Sequence, residues 1–318
     1  MPVNDKTLII ITGFACNNNC VMCSLNCSQQ GHTNRTTRDI LLDIRRAKKE
    51  NFERVEFSGG EPSIRKDIFL LLNYAKELSF KEVAMSTNGR IFFYPDMCKK
   101  FFKSGLNRVN ISLHGHIPKL HNALTRTKNS FEEAIQGIAN IKKYPSIYVE
   151  INSVISNLNC NYIPEMYTFI SNLFINPAWG ILDLIPEGNA ASVYKSLSVS
   201  LLKLSKQISF LSSRITNACH INFFDFPLCL FPPTMRTSPD ISLIVAKDRN
   251  QKTEQRGYHP TRITHDGYKY IDKYKNQVAI CKKCVFKTRC AGIWNSYLSL
   301  YGCEEITTLA QQHECLNQ

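Results

Sequence analysis

The chain has 318 residues, of which 43% are hydrophobic and 20% are charged. This composition is ordinary for a folded protein and excludes a disordered or low-complexity chain. No apolar run approaches the roughly 18 residues that a membrane-spanning helix needs, so we expect no membrane association. The formal net charge of +13 suits an anionic partner or a solubilising surface equally well. No nucleic-acid-binding motif accompanies it, so we expect no nucleic-acid partner.

Six apolar, β-branched segments alternate with helical patterns between residues 7 and 188. The predicted strands are TLIII (7–11), RVEFS (54–58), EVAMST (82–87), RVNISL (108–113), IYVEINSVI (147–155) and WGILDLI (179–185). The helical patterns between them are TTRDILLDIRRAKKE, KDIFLLLNYAKEL, YPDMCKKFFKSG, SFEEAIQGIANIKK and IPEMYTFISNLF. This alternation predicts an α/β fold with parallel strands and right-handed crossovers, whose chemistry lies at the carboxyl ends of the strands.

The remainder of the chain loses this rhythm. A helical pattern at 196–216 leads into the strand-like HINFFDFPLCLFPP, which prolines terminate. Residues 234–276 are polar, basic and poorly periodic, which predicts a loop or lid. We therefore divide the chain into a core at 1–190, a helix and strand that complete or flank it at 191–228, and a cysteine-rich region at 229–318.

Thirteen cysteines are concentrated near the two ends of the chain. The N-terminal apolar segment resembles an export signal only weakly, because it is short and interrupted by Gly13. So many cysteines without an export signal indicate a cytoplasmic, metal-binding protein rather than a disulfide scaffold.

Cys16, Cys20 and Cys23 follow the first predicted strand with C-x3-C-x2-C spacing. Thiolates bind soft metals and iron–sulfur clusters, and this spacing on a loop lets three sulfurs face one small body. Structural zinc normally takes four protein ligands, so three cysteines leave one metal position open. The glycine-rich turn SGGEP (58–62) follows the second strand, and STNG (86–89) follows the third.

In this order, the motifs resemble the radical S-adenosylmethionine (SAM) superfamily over about residues 7–188. The resemblance implies a partial (β/α)6 TIM-like barrel and a [4Fe–4S] cluster that Cys16, Cys20 and Cys23 hold and whose fourth iron binds SAM. It also implies reductive cleavage of SAM to a 5′-deoxyadenosyl radical that abstracts a substrate hydrogen, with a flavodoxin- or ferredoxin-type electron donor. Cys27 departs from the pattern, and because a fourth thiolate ligand would block SAM we interpret it as a nearby thiol.

The resemblance further implies which residues contact SAM. These are Met22 for the adenine, Gly59, Gly60 and Glu61 for the methionine amino group, Ser86, Asn88 and Asn152 for the ribose or methionyl part, and Arg126 for the carboxylate. A guanidinium suits a carboxylate through bidentate hydrogen bonds. Simpler interpretations stay open: a turn residue for Asn88, a satisfied strand residue for Asn152 and a surface charge for Arg126. No catalytic side chain is assigned, and His114, His116 and His121 are better explained by local hydrogen bonds than by proton transfer.

The segment CKKCVFKTRC (281–290) has C-x2-C-x5-C spacing and is followed by Gly292, Tyr297 and Gly302. It resembles the tail of the twitch or SPASM-type extensions of radical SAM enzymes, which hold an auxiliary [4Fe–4S] cluster. Trp294 stands where the full SPASM pattern has another cysteine, so we expect one auxiliary cluster. Its expected ligands are Cys281, Cys284, Cys290 and, as the fourth, Cys229, with Cys303 and Cys315 as competitors. A zinc knuckle built from the same residues is the alternative.

Enzymes with such tails often modify ribosomally made peptides, so a radical SAM peptide maturase that forms a crosslink, a thioether or an epimer is the leading hypothesis. The first strand begins at residue 7, which argues against an N-terminal leader-binding domain. The alternative is a radical SAM dehydrogenase, epimerase or cyclase acting on a sugar, nucleoside or amino acid. A non-catalytic zinc-binding protein is a third hypothesis, but it gives the SGGEP turn no purpose.

Overall fold

The computed structural model describes residues 6–27, 34–174, 177–216, 218–246, 248, 253–259, 262–264 and 274–316. Their strands are β1 (Thr7–Ile11), β2 (Arg54–Ser58), β3 (Glu82–Thr87), β4 (Arg108–Ser112), β5 (Tyr148–Val154), β6 (Ala178–Leu182), β7 (His220–Phe224), β8 (Ile241–Ile244), β9 (Thr253–His259), β10 (Arg262–Thr264), β11 (Lys275–Asn276) and β12 (Ile293–Trp294). Their helices are α1 (Thr37–Lys49), α2 (Ile68–Glu77), α3 (Pro95–Lys103), α4 (Pro118–Thr125), α5 (Ser130–Ile141), α6 (Ile163–Ser171), α7 (Gly188–Ser192), α8 (Tyr194–Leu197), α9 (Leu201–Ser212), α10 (Pro233–Arg236), α11 (Asn295–Tyr301) and α12 (Glu304–Gln312).

The main sheet has the strand order β10-β9-β1-β2-β3-β4-β5-β6-β7-β8. Within the described ranges, β1 to β9 are parallel and β10 pairs antiparallel with β9. The sheet curls into a half-barrel with helices along it, which confirms the predicted partial TIM-like α/β fold. The six predicted strands are all present, and β7 and β8 extend the sheet beyond them.

Helices cover the outer face of the sheet because each presents an apolar stripe. In α1, Thr36 caps the first turn by accepting a hydrogen bond from the Asp39 N–H at 3.1 Å, and Ile40, Ile44 and Ala47 are buried. Their spacing places all three on one side of the helix, and the opposite side, which includes the exposed Leu42, faces solvent.

Side chains alternate across the strands as the period of two requires. Val55, Phe57, Val109 and Ile111 are fully buried against the helices. The concave face instead carries polar side chains that bond between strands: the Ser86 hydroxyl donates to Glu56 at 2.5 Å, Arg108 donates to Glu150, and Asn222 donates to Glu150 at 3.2 Å. The half-barrel therefore encloses a hydrogen-bonding interior rather than a wholly apolar one.

The prediction of a loop or lid across residues 234–276 was wrong for its described residues, because β8, β9, β10 and β11 lie within this segment. β8 pairs with β7 at one end of the parallel sheet, and β9 pairs with β1 at the other. β8, β10 and β11 have only two to four residues and TEQRGYH in β9 is almost wholly polar, so no apolar period marks these strands.

The cysteine-rich end of the chain is attached to the barrel through a buried ion pair. The Lys275 ammonium on β11 lies 3.1 Å from the Asp183 carboxylate, which follows β6, and its side chain is only 1% exposed. The Trp294 indole on β12 donates to the same Asp183 oxygen at 2.7 Å, and Lys275 also donates to the Asp225 carbonyl after β7. A single carboxylate therefore binds both strands of the β11–β12 ribbon to the carboxyl end of the sheet.

No helix in the described part of the chain combines the length and the apolar character that crossing a membrane requires.

Candidate active site

The loop that carries Cys16, Cys20 and Cys23 follows β1 and has no regular secondary structure. Neighbouring segments satisfy its backbone, as buried peptide groups require. The Asn19 and Val21 N–H groups donate to the last carbonyls of α4, at 3.1 and 2.9 Å. From the other side, the Asn189 N–H donates to the Cys23 carbonyl at 2.8 Å and its side-chain amide to the Cys20 carbonyl at 3.0 Å. The loop is thus fixed between the segments that follow β4 and β6.

The three thiols of this loop influence one another electrostatically. Burial raises the pKa of Cys16 to about 11, and burial together with the charges of Cys23 and Cys16 raises the pKa of Cys20. The sulfurs of Cys23 and Cys27 lie 3.8 Å apart, and the hydrogen bond between the two groups lowers the pKa of Cys23 to about 6. Ionisation of all three thiols would need a compensating positive body, which an iron–sulfur cluster supplies. Within the described residues, no three His, Cys, Asp or Glu side chains have the geometry of a single-ion site.

The SGGEP turn lies directly against the start of the cysteine loop. The Gly60 N–H donates to the Gly13 carbonyl and the Glu61 N–H to the Ala15 carbonyl, both at 2.8 Å. A Cβ atom on Gly60 would stand 2.2 Å from the Ala15 carbonyl oxygen, so any larger residue would force the two segments apart. Gly59 adds a backbone φ of +119°, which side-chain-bearing residues rarely adopt.

Glu61 connects this turn to the STNG turn after β3. Its buried carboxylate, 2% exposed, accepts hydrogen bonds from the Ser63 N–H at 3.1 Å, the Thr87 hydroxyl at 2.7 Å and the Asn88 N–H at 2.7 Å. Burial raises the pKa of this carboxyl while these donors lower it. With its oxygens engaged in this way, Glu61 shapes the backbone that surrounds the site.

Asn88 and Arg90 hold the cysteine loop from the side of β3. The Asn88 amide donates to the Asn17 side chain at 2.6 Å, and the Arg90 guanidinium donates to the Asn17 carbonyl at 2.6 Å and the Asn18 side chain at 3.0 Å. Glu133 on α5 orients that guanidinium through a contact of 2.5 Å. Sequence reasoning missed Arg90, Asn17 and Asn18, because nothing in the local pattern relates a residue after STNG to the cysteine spacing.

Asn152 presents an unsatisfied polar atom to the concave interior. Its side-chain oxygen is buried and has no hydrogen-bond partner among the described residues. Gly180 on β6 makes room for it, since a Cβ there would stand 2.0 Å from the Asn152 oxygen. Buried polar atoms are normally paired, so this atom fits a contact with a bound molecule. Ser86, by contrast, already donates to Glu56.

Met22 lies within the cysteine loop, and Arg126 lies at the end of α4, which contacts this loop. Met22 is buried in an apolar cluster with Val21, Leu124, Leu184 and Tyr194. Arg126 ends α4 with a backbone φ of +50°, directly after the carbonyls that bind the cysteine loop. Its guanidinium is exposed and has no hydrogen bond or ion pair with another described residue.

Two of the three histidines after β4, His114 and His121, accept backbone hydrogen bonds as the simpler interpretation predicts, whereas the buried Nδ1 of His116 has no hydrogen-bond partner among the described residues. The His121 Nδ1 accepts from the His114 N–H at 3.1 Å, and the His114 Nδ1 accepts from the Val154 N–H at 3.2 Å. Burial lowers the pKa of His114 to about 3 and that of His121 to about 4, so both are neutral near pH 7.

A second group of thiols lies in the C-terminal region. Burial raises the pKa of Cys229 well above its usual value, and the nearby charges of four other cysteines raise it further; these are Cys290, Cys315, Cys281 and Cys284. The Val285 N–H donates to the Cys315 carbonyl at 2.8 Å, and Arg236 donates to the Cys315 sulfur at 3.0 Å. Cys303, the other competitor, is exposed and directly precedes α12. Cys284 also forms a β-bridge with Leu316, and the His313 Nδ1 lies 2.8 Å from the Cys229 carbonyl oxygen, so the segments that carry Cys284, Cys229 and Cys315 meet in the fold.

Comparisons with known proteins agree with this arrangement. The sequence model of the Radical SAM superfamily matches residues 10–170. A probable GTP 3′,8-cyclase of Saccharolobus solfataricus is 29% identical over 194 residues, which are 61% of this chain and 61% of that protein. The chain therefore spans about three-fifths of the length of such curated relatives.

Two solved structures share the fold over most of the chain. Streptococcus suis SuiB bound to SAM is 16% identical with a TM-score of 0.64, covering 93% of this chain and 74% of SuiB. anSMEcpe with bound AdoMet is 14% identical with a TM-score of 0.61, covering 96% of both chains. The family match spans half of the chain and contains the cysteine loop, SGGEP and STNG, which confirms the resemblance drawn from those motifs. This chain belongs to the radical SAM superfamily.

Proposed function

We propose that this radical SAM enzyme matures a ribosomally made peptide by forming a crosslink, a thioether or an epimer. The observation that carries the proposal is the second thiol group, which the Lys275–Asp183 pair anchors to the carboxyl end of the sheet. The fold of SuiB, which has been crystallised with the precursor peptide SuiA, supports it. So does the fold of anSMEcpe, which has been crystallised with bound AdoMet and a peptide.

Family membership implies a [4Fe–4S] cluster and SAM, and the cysteine loop fits both. In the proposal Cys16, Cys20 and Cys23 hold the cluster through their crowded thiolates, and Cys27 stays unligated beside Cys23. When bound, the cluster and SAM supply the 5′-deoxyadenosyl radical that removes a substrate hydrogen atom. Met22 packs against the adenine, while Gly59 and Gly60 let the backbone approach the methionine amino group.

Polar side chains complete the proposed SAM site. The Asn152 oxygen accepts from a ribose hydroxyl, which pairs an atom that is otherwise unsatisfied. Ser86 contributes to the same region and donates a hydrogen bond to Glu56. Asn88 and Glu61 hold the SGGEP turn, the STNG turn and the cysteine loop together through their hydrogen bonds. The unpaired guanidinium of Arg126 binds the SAM carboxylate.

The Arg126 assignment predicts a specific loss of SAM affinity. We expect Arg126→Gln to weaken SAM binding about tenfold, or ~1.4 kcal/mol, because one charged hydrogen-bonding partner of the carboxylate is removed. Isothermal titration of the anaerobically reconstituted enzyme with SAM measures the change. Lys128→Gln, an exposed cation two residues away, is the matched control and should bind SAM as the unaltered enzyme does. Equal affinity of both variants would assign Arg126 to the solvated surface.

In the C-terminal region we propose a second [4Fe–4S] cluster held by Cys281, Cys284, Cys290 and Cys229. Cys315 competes for the fourth position because it lies in the same group and receives the Arg236 hydrogen bond. Reconstitution with iron and sulfide should give about eight irons per chain if both clusters form. About four irons together with one zinc would instead support the zinc-knuckle alternative.

A second candidate function is the chemistry of a small molecule such as a nucleotide. The probable GTP 3′,8-cyclases that resemble this chain favour it, and so does the polar interior formed by Glu56, Ser86 and Asn152, which offers hydrogen bonds to a compact polar substrate.

Incubation of the reconstituted enzyme with SAM, a reductant and either GTP or peptides encoded beside its gene distinguishes the two. Peptide maturation predicts 5′-deoxyadenosine formation that depends on the peptide, together with a modified peptide detected by mass spectrometry. Consumption of GTP with no peptide effect would replace the leading proposal by the second.

A further inference from the structure

The outer side of the C-terminal cysteine loop is basic. Lys282, Lys283 and Lys287 are exposed, and none of their ammonium groups has a hydrogen bond or ion pair with another described residue. Arg289, the other cation of the loop, is paired with Asp248 at 2.8 Å. Three uncompensated positive charges within six residues of sequence create a local positive potential on this face.

These lysines alternate with the thiols of the second group. Lys282 and Lys283 stand between Cys281 and Cys284 on a short 3-10 turn, and Cys281 is itself partly exposed. Val285 lies among the lysines with 47% of its surface exposed. This basic face therefore carries an exposed apolar residue directly next in sequence to the buried Cys284.

This combination suits a transient redox partner. Electron-carrier proteins dock through small interfaces, and opposite charges accelerate their encounter without requiring a large buried area. An apolar centre lets the two surfaces approach closely once the charges have oriented them. A nucleic acid would require more phosphate contacts than three lysines supply, and it would have no use for thiols beneath the surface.

We propose that the face formed by Lys282, Lys283, Val285 and Lys287 docks an acidic one-electron carrier protein that reduces the C-terminal iron–sulfur centre. In this step the reduced flavin or iron–sulfur cofactor of the carrier loses one electron and the C-terminal centre gains it, with no bond formed or broken. The inference rests on the proposed second cluster and assigns a surface to the electron donor.

The test uses the full chain with Cys16, Cys20 and Cys23 replaced by alanine, so that only the C-terminal centre is reduced. Reduced flavodoxin, an acidic flavoprotein, is the probe, and stopped-flow bleaching of the centre gives the rate. We expect Lys282→Glu/Lys283→Glu/Lys287→Glu to slow this reduction at least ~10-fold at low salt, because charge steering is reversed. Raising the salt to about 500 mM should remove most of the difference.

The matched control is Lys99→Glu/Lys103→Glu/Lys142→Glu, which alters the net charge equally at exposed lysines of α3 and the end of α5. It should leave the rate unchanged, and reduction by dithionite should be equal in all variants. Equal rates for both triple variants, or tighter binding of a single-stranded oligonucleotide than of flavodoxin, would overturn the docking face. Iron analysis separates the two proposals. If the chain with Cys16, Cys20 and Cys23 replaced by alanine contains no iron, the proposed second cluster is refuted. If it contains iron and the Lys282→Glu/Lys283→Glu/Lys287→Glu variant is reduced at an unchanged rate, only the docking face is refuted.

Discussion

Replacing Cys20 by alanine should abolish the reductive cleavage of SAM, with a loss of at least about 100-fold in 5′-deoxyadenosine formation. Even a group one shell away from a metal contributes 10- to 100-fold, and Cys20 is a proposed direct ligand. The loop offers no substitute in the same place, because hydrogen bonds from Asn189 and to α4 fix its backbone. Anaerobic assay with SAM and dithionite, with iron content measured on the same sample, checks the result.

Cys27 and Cys303 provide the matched cysteine controls. Cys27→Ala tests whether the thiol that lies 3.8 Å from Cys23 is a bystander, in which case cleavage persists. Cys303→Ala alters an exposed cysteine that precedes α12 and should have no effect. Unchanged cleavage in Cys20→Ala would refute the proposed cluster site, and its loss in Cys27→Ala would make Cys27 a participant.

Asp183→Ala should lower the free energy of unfolding by ~3–5 kcal/mol, because it leaves the buried ammonium of Lys275 without its partner. It also removes the acceptor of the Trp294 indole, so both strands of the β11–β12 ribbon lose their attachment to β6. Urea unfolding of the reconstituted enzyme, followed by circular dichroism, measures the change.

An exposed ion pair of the same region supplies the control. Arg289 and Asp248 lie 2.8 Å apart with 47% and 40% of their side chains exposed. Because solvent screens such a pair, Asp248→Ala should cost less than ~1 kcal/mol. If Asp183→Ala were no more destabilising than Asp248→Ala, the Lys275–Asp183 pair would not anchor the C-terminal region.

Local sequence patterns located the candidate site but did not predict the contacts that fix it. The C-x3-C-x2-C spacing and the two turns identified the loop, but not what holds it. Arg90 and Asn189 contact the loop from positions more than 70 residues away in sequence. Neither residue carries a pattern of its own, because each acts through ordinary hydrogen bonds to backbone or amide groups.

The sequence by itself determined the parallel α/β architecture, the order of β1 to β6 and the loop that carries Cys16, Cys20 and Cys23. These features are local, since strand and helix periods and cysteine spacing repeat within a few residues. Only the tertiary structure decided that β8 and β9 pair with the two ends of the sheet and that Cys229 and Cys315 join Cys281, Cys284 and Cys290. It also decided that Lys275 pairs with Asp183, 92 residues earlier in the chain. Such contacts depend on where separate segments meet after the chain has folded, and no short-range pattern encodes that meeting.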